Sequence, residues 1–575
     1  MHILGLSAMG HDPAAALIDE HGVVAAIEES KLERARSTAG IPRAAIRFCL
    51  DRAGIGWRDL ERVAVASRPP SASFRKTALR LRLAPRAPLS SGYFFNKALG
   101  ELGRELNNFR ILRESAGEPS SRVAGLDHHL CHASSAYFAS PYDAALVVVL
   151  DEQGDGRSGL VALGEGSRLR PLSTLAFPHS LAWVFTQVTR LLGFRPHADE
   201  HKTQWLSLAG EPAFLPLFLE MLRRAPGGPP RLNGKYFRRE LAGELSFSDA
   251  FYRQIGVPRE SWKQASAPAM DDSLRANLAA SLQQACGAVV CAWLESWRKE
   301  TQTRKLCLAG GLFLNALLVA AVEKNTGFDE VFVQPAAGNE GTALGAAWLA
   351  WHHAPQRPRL APLSSLYCGP SYTNEEIKAV LDNCKASYRW CDSEDHKIEQ
   401  AVQLLESGKI VAWYQGAAEF GPRALGHRSL LASPWADYVP ENLNDYVKHR
   451  ESFRPFALAI PEEHCAEYFD CSKNGCFMAT MAAAREKARR LFPSPSSFIS
   501  AGGLTRLHVV AAADNPLLWK LLKRSGATRP APILVNTSFN LFGEPLVVTP
   551  RDAVRSYYCS GTDALVAGSF LLAKR

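Results

Sequence analysis

Three histidines, His128, His129 and His132, fall within one short stretch, GLDHHLCHASSAYFAS, Gly125 to Ser140. The small residues that follow predict a helix. Side chains four apart share a helix face, so His128 and His132 can reach one ion while His129 turns away by about 100°. His129 with His132 is the competing pair, because residues three apart are also neighbours. Asp151 closes the apolar run AALVVVLD, where a strand end could supply a carboxylate. Two histidines and one carboxylate with open positions suit iron(II), and zinc or manganese would also accept that set.

Such groups converge only if the surrounding elements hold them. The N-terminus predicts three short strands, Ile3 to Ala8, Ala14 to Ile18 and Val23 to Glu28, then a helix at about Pro42 to Ala53. A second strand-rich start lies at AALVVVLDEQGDGRSGLVALGEG, with one strand ending in Asp151, a Gly-rich turn, and another strand beginning near Gly159. Two such starts predict a duplicated α/β architecture. Folds of that kind hold a nucleotide between their halves, with Gly-rich turns close to phosphate. LAGGLFLNA, Leu308 to Ala316, is a second turn of this type. The proline-rich APQRPRLAP, Ala354 to Pro362, reads as a linker and places a domain boundary near residue 365, giving domains 1–365 and 366–575. Beyond it follow a helical IEQAVQLLESG, a strand KIVAWY, and a late strand APILV that runs into NTSFNLFGEP.

At 575 residues the chain is too long for one ordinary core. With 47% hydrophobic and 21% charged residues, it has the composition of a soluble globular protein. No apolar run approaches the roughly 18 residues of a membrane span. The start lacks the features of a signal peptide, so a cytoplasmic location is expected. Twelve cysteines without a CxxC pair fit reduced thiols and argue against a zinc ribbon. A net charge of +9 is modest for this length. The basic run Arg75 to Arg86 reads as a solvated helix or an approach for an anionic substrate in preference to a nucleic-acid site.

Seven blocks then occur in order: HDPAAALI from His11, DHHLCHASSAYFASPYD from Asp127, AGGLFLNA, QPAAGNEGTALGAA from Gln334, EFGPRALGHRSLLASP from Glu419, VKHRESFRPFA from Val447, and LVNTSFNLFGEPLVVTP from Leu534. Together, over essentially the whole chain, they resemble the NodU/CmcH-type O-carbamoyltransferases of nodulation and antibiotic biosynthesis. The resemblance implies an α/β protein whose N-terminal domain is a duplicated actin/sugar-kinase-like (ASKHA) fold and whose C-terminal domain is YrdC-like. It implies that ATP and carbamoyl phosphate give carbamoyl-adenylate in the C-terminal domain. The carbamoyl group then passes to a hydroxyl in the N-terminal domain.

Anionic substrates call for guanidinium forks. Arg423, Arg428, Lys448, Arg450, Arg454 and Arg506 are the supply, with Asn536 and Ser538 to orient a carbamoyl or phosphate oxygen. Asn540 either joins them or closes the turn. The resemblance also implies a divalent metal, expected to be iron(II), on His128, His132 and Asp151, and an adenylate held near Gly310, Gly311 and Asn315. His11, beside Asp12, matches the family's general base, a role that suits a histidine titrating near about 6.5. Glu200 and Lys202, in ADEHKTQWLSLAG, match a block lining the acceptor cleft.

Three departures bear on affinity. Asn339 stands where the family often has a ligating aspartate, with Glu340 as the other candidate donor. Gly502 and His508 replace the aspartate and glutamine that flank the ATP-site arginine, and Arg36 takes a lysine position in an early RxKH element. The expected partner is a small-molecule hydroxyl acceptor, with no membrane and no nucleic acid; a homodimer is compatible with the sequence. The competing readings are a transferase that modifies tRNA or protein, and a nucleotide-binding regulatory homologue without turnover.

Overall fold

The computed structural model describes residues 1–8, 11–35, 38–67, 91–117, 122–222, 229–239, 245–259, 270–354 and 357–574. Arg36 and the basic run from Arg75 to Arg86 lie outside them. The chain forms two compact units: Met1–Val24, Ala39–Pro42 and Leu50–Pro362 make the first, and Ala25–Thr38, Arg43–Cys49 and Leu363–Arg575 the second. A single boundary near residue 365 therefore omits two N-terminal pieces that belong with the C-terminal unit.

β1 (His2–Ser7), β2 (Ala14–Asp19), β3 (Gly22–Glu28), β4 (Leu60–Val65) and β5 (Val123–Gly125) form a sheet in the order β3-β2-β1-β4-β5, all of it in the first unit except β3 from Ala25 on. Next come β6 (Ala144–Gly154), β7 (Arg157–Glu165) and β8 (Arg168–Ala176). They are followed by a small hairpin of β9 (Phe237–Arg239) and β10 (Leu245–Phe247), then β11 (Lys305–Ala309) and β12 (Glu330–Val333). Five of these make a second sheet in the order β8-β7-β6-β11-β12. In each sheet the first strand pairs antiparallel with the second and parallel with the fourth, and the fourth pairs parallel with the fifth. The duplication expected from the sequence is thus written in the hydrogen-bond ladders.

One detail differs. β6 does not stop at Asp151 but runs on to Gly154, with a register shift after Leu150. Asp155 and Gly156, both with positive φ, form a two-residue Asp-Gly hairpin turn into β7. Asp151 therefore lies inside a strand, at the register shift between its paired parts.

The helix His128–Tyr137 follows β5. Asp127 caps it by accepting from the backbone N–H of Leu130 at 3.1 Å. At its other end the Arg359 guanidinium donates to the carbonyls of Tyr137 (2.8 Å) and Ser140 (3.1 Å) and lies over the Tyr137 ring. A cation there complements the helix dipole. The proline-rich segment expected to be a linker is thus strapped to the element that carries the histidines.

The second unit is built on a ten-stranded sheet among the described residues. At its centre Val411–Tyr414, Arg428–Ala432, Leu534–Ser538, Ala457–Pro461 and Leu504–Val510 lie side by side. Buried apolar residues cover both faces, with Leu430, Leu458 and Val535 on one and Val411, Leu431 and Leu534 on the other. All twelve cysteines are free thiols. No described helix is long and apolar enough to cross a membrane.

Candidate functional site

In the first unit, His128, His132 and Asp151 bring ligand atoms within 4.8 Å of one another. His128 Nε2 lies 3.3 Å and His132 Nε2 3.9 Å from Asp151 Oδ2. His128 Nδ1 faces the Ala66 carbonyl at 3.3 Å, an arrangement that protonates Nδ1 and leaves Nε2 for a cation. The sequence left two histidine pairs open, and the fold selects the i, i+4 pair. His129 is fully buried but stands outside the cluster. The His128 ring passes so close to Gly154 that a Cβ there would meet ring carbon Cδ2 at 2.0 Å, so only glycine fits.

Electrostatics match a cation site. Burial alone would raise the Asp151 carboxyl, but the surrounding histidines hold it well below the usual carboxylate range. Burial and the neighbouring His128 push His132 down to about 3, so its ring is neutral. Both ring nitrogens of His132 and the Asn339 Oδ1 are buried without a hydrogen-bond partner among the described residues. Of these, the unprotonated ring nitrogen of His132 and Asn339 Oδ1 offer lone pairs that a divalent ion would satisfy.

His11 and Asp12 stand beside this cluster. His11 Nδ1 lies 2.7 Å from Asp12 Oδ2, and both ring nitrogens face the Asn339 amide nitrogen at 3.2–3.3 Å. The hydrogen bond to Asp12 outweighs burial and raises His11 to about 9, so it is protonated at neutral pH instead of titrating near its ordinary value. Glu200 accepts from the backbone N–H of His197 at 2.6 Å, and Lys202 pairs with Asp199 at 3.5 Å. Glu200 thereby holds His197 at φ 60°, with the ring 3.4 Å from Glu152 and its centroid 6.0 Å from that of His11. Sequence reasoning passed over Glu152 and His197. The one adjoins Asp151 and the other immediately precedes the block that contains Glu200.

The Gly-Gly turn acts through its backbone. Gly311 N–H donates to Asp151 Oδ1 at 3.2 Å, fixing the carboxylate. Gly310 has φ 97°, and a Cβ there would lie 2.2 Å from the Leu150 carbonyl. Gly310→Ala is expected to destabilise the protein by roughly 3 kcal/mol, read as a lowered denaturant midpoint, through combined strain and clash. Asn315 caps the helix Ala316–Asn325 and exchanges hydrogen bonds with Gln283. Gln283, with Gln284, Gly287, Leu317 and Ala321, helps line a cavity of about 560 Å³.

The second unit collects cations. Arg423, Lys448, Arg450 and Arg506 are each pushed down, first by burial and then by neighbouring guanidiniums, with Arg454 acting on all four. Lys448 ends a π-helical turn, Leu443–Lys448, that the sequence did not signal. Its ammonium donates to the Ser538 carbonyl (2.6 Å), Ser538 Oγ (3.1 Å) and Asn540 Oδ1 (2.7 Å). Arg450 stacks on Phe456 at 3.9 Å. Asn536 donates to the Ala424 carbonyl and to His508 Nδ1.

Arg428 corrects the expectation. Its guanidinium is fully buried, donates to the carbonyls of Gln415, His427, Pro370 and Gly416, and lies on the Tyr414 ring. Four hydrogen bonds to backbone carbonyls pin it to the sheet, and the Nε–H left over is buried.

A two-unit α/β protein with a histidine–carboxylate cluster in one unit and an anion-seeking cluster in the other suits group transfer from a phosphorylated donor. The chain belongs to the carbamoyltransferase family, matching the carbamoyltransferase N-terminus over residues 2–348 and the carbamoyltransferase C-terminus over residues 402–574. It is 33% identical to an uncharacterized protein of Synechocystis, covering 100% of this chain and 97% of that one. It is 31% identical to the nodulation protein NolNO of Sinorhizobium fredii, covering 98% and 79%. A 3'-hydroxymethylcephem-O-carbamoyltransferase of Amycolatopsis lactamdurans is 30% identical over 46% of this chain and 48% of its own length.

Proposed function

We propose that this protein is an ATP-dependent O-carbamoyltransferase that forms carbamoyl-adenylate in the C-terminal unit and passes the carbamoyl group to a sugar or natural-product hydroxyl in the N-terminal unit. The observation that carries this reading is the presence, in one carbamoyltransferase chain, of both a five-cation cluster, with Lys448 and Arg506 buried, and a His128–His132–Asp151 cluster. Water opens carbamoyl phosphate to carbamate and orthophosphate. A carbamate oxygen displaces pyrophosphate from the α-phosphorus of ATP, and the acceptor oxygen displaces AMP from the carbamoyl carbon.

Arg423, Lys448, Arg450, Arg454 and Arg506 bind the phosphates, whose charge relieves the repulsion among them. Ser538 and Asn536 orient the carbamoyl oxygens. We read this unit as YrdC-like. We read the first unit as actin/sugar-kinase-like, a reading supported by its repeated strand order. There the adenosine sits in the cavity beside Gln283 and Asn315, and its phosphate faces the Gly310–Gly311 turn. His128, His132 and Asp151, with Asn339 as a fourth donor, would hold a divalent cation, iron(II) by the resemblance. When bound, that ion would polarise the phosphate and, by repulsion, lower the pKa of His11 so that it can accept the acceptor's proton.

Purified protein given ATP and carbamoyl phosphate is expected to release pyrophosphate only when both are present. An acceptor screen by mass spectrometry should then find a product heavier by one carbamoyl group. Carbamate-ester formation from carbamoyl phosphate without ATP would overturn the adenylate route.

A further inference from the structure

The segment Glu28–Arg34 lies near the N-terminus, yet it is packed inside the second unit, against the two loops that carry that unit's cluster. Lys31 is buried, and its ammonium donates to the carbonyls of Glu419 and Gly421, both at 2.7 Å. It also pairs with Glu28 at 3.0 Å, while the other Glu28 oxygen accepts from Gly421 N–H at 2.7 Å. These bonds clamp residues 419–421 just before Arg423. The Glu419 carboxylate in turn accepts from the backbone N–H groups of Leu425, His427 and Arg428 at 2.8, 2.9 and 3.1 Å. The loop that presents Arg423 is thus gripped on both sides.

Arg34, in the left-handed conformation at the end of the short helix Glu29–Glu33, grips the second loop. Its guanidinium donates to the carbonyls of Pro545 (2.9 Å) and Leu546 and to the Glu544 carboxylate (2.7 Å). The Glu544 carbonyl accepts from the Asn540 amide at 2.6 Å. Asn540 Oδ1 accepts from both Lys448 and Ser538. A continuous chain of hydrogen bonds therefore runs from Arg34 to Lys448 and Ser538.

We propose that Lys31 and Arg34 are positioning residues of the C-terminal site, setting the Arg423 loop and the Ser538–Asn540 loop in the places where they receive the anionic substrates. Buried charges spent on loop carbonyls do little for stability that apolar packing would not do as well, but they fix a geometry. The proposal rests on reading that cluster as the ATP and carbamoyl phosphate site.

In the full-length protein, Arg34→Gln is expected to speed hydrogen exchange of the amides of residues 540–546 about tenfold while leaving strand Val411–Tyr414 unchanged. Its kcat/KM for pyrophosphate release should fall about thirtyfold, and combination with Ser538→Ala should cost little more than the worse single change, because both act through one loop. Arg34→Lys should recover only part of the loss, since an ammonium cannot reproduce the fork. Lys31→Met joined to Glu28→Gln, which leaves no lone buried charge, should lower kcat/KM about tenfold. Unchanged exchange at 540–546, or a fully multiplicative loss with Ser538→Ala, overturns the proposal. If the unaltered protein releases no pyrophosphate, the functional reading fails, and the exchange measurement alone still decides whether Arg34 holds the loop.

Discussion

Replacing Asp151 with asparagine is expected to weaken divalent-cation binding by about a hundredfold or more, while far-ultraviolet circular dichroism stays unchanged. The amide oxygen can still accept from Gly311 N–H, so the Gly-Gly turn keeps its anchor. What disappears is the carboxylate charge 3.3 Å from His128 Nε2 and 3.9 Å from His132 Nε2. The pH dependence sharpens the test. His132, held down at about 3, is available as a neutral ligand across the working range. In His128 burial acts downward, but the Asp151 carboxylate outweighs it, so a proton competes for Nε2. Cation affinity should therefore strengthen as pH rises through that elevated pKa and fade on acidification. In Asp151→Asn the largest raising influence is gone and that of Asp155 remains, so residual binding should depend less on pH. Calorimetric titration with iron(II), zinc and manganese measures both. Undiminished affinity with an unchanged pH slope would remove Asp151 from the ligand set.

The histidine cluster was legible because its signal is local: a four-residue spacing on a predicted helix and an acid on an apolar strand. The same rule could not choose between His128 and His129 as the partner of His132, because that choice depends on which helix face meets β6. GPRALGHR offered two arginines of equal promise. Only the sheet separates them, since Arg428 begins a central strand among four waiting carbonyls while Arg423 sits on the loop before it. The strand duplication was visible in two similar starts. The excursion of Ala25–Thr38 into the second unit was not, because its bonds join residues hundreds of positions apart and leave no periodicity behind. His11 was recognised by its block, but its raised pKa comes from the close geometry of Asp12, which no spacing rule supplies.

Arg506→Met should separate catalysis from stability. Its guanidinium is buried and repelled by Arg423 and Arg454, an arrangement costly for an empty protein and suited to one that binds polyanions. Methionine fills similar space without the charge. Pyrophosphate release is expected to fall by about a thousandfold, the scale of losing a preorganised charge that faces phosphoryl oxygens. The protein without substrates should become more stable by about 1–2 kcal/mol, because one source of repulsion is gone. Carbamoyl phosphate or ATP, which should raise the thermal midpoint of the unaltered protein by neutralising the cluster, should raise that of the variant much less. Scanning calorimetry with and without each ligand reads all three states. A variant that keeps its activity, or one that loses stability together with activity, would make Arg506 a structural cation like Arg428 and leave the phosphates to its four neighbours.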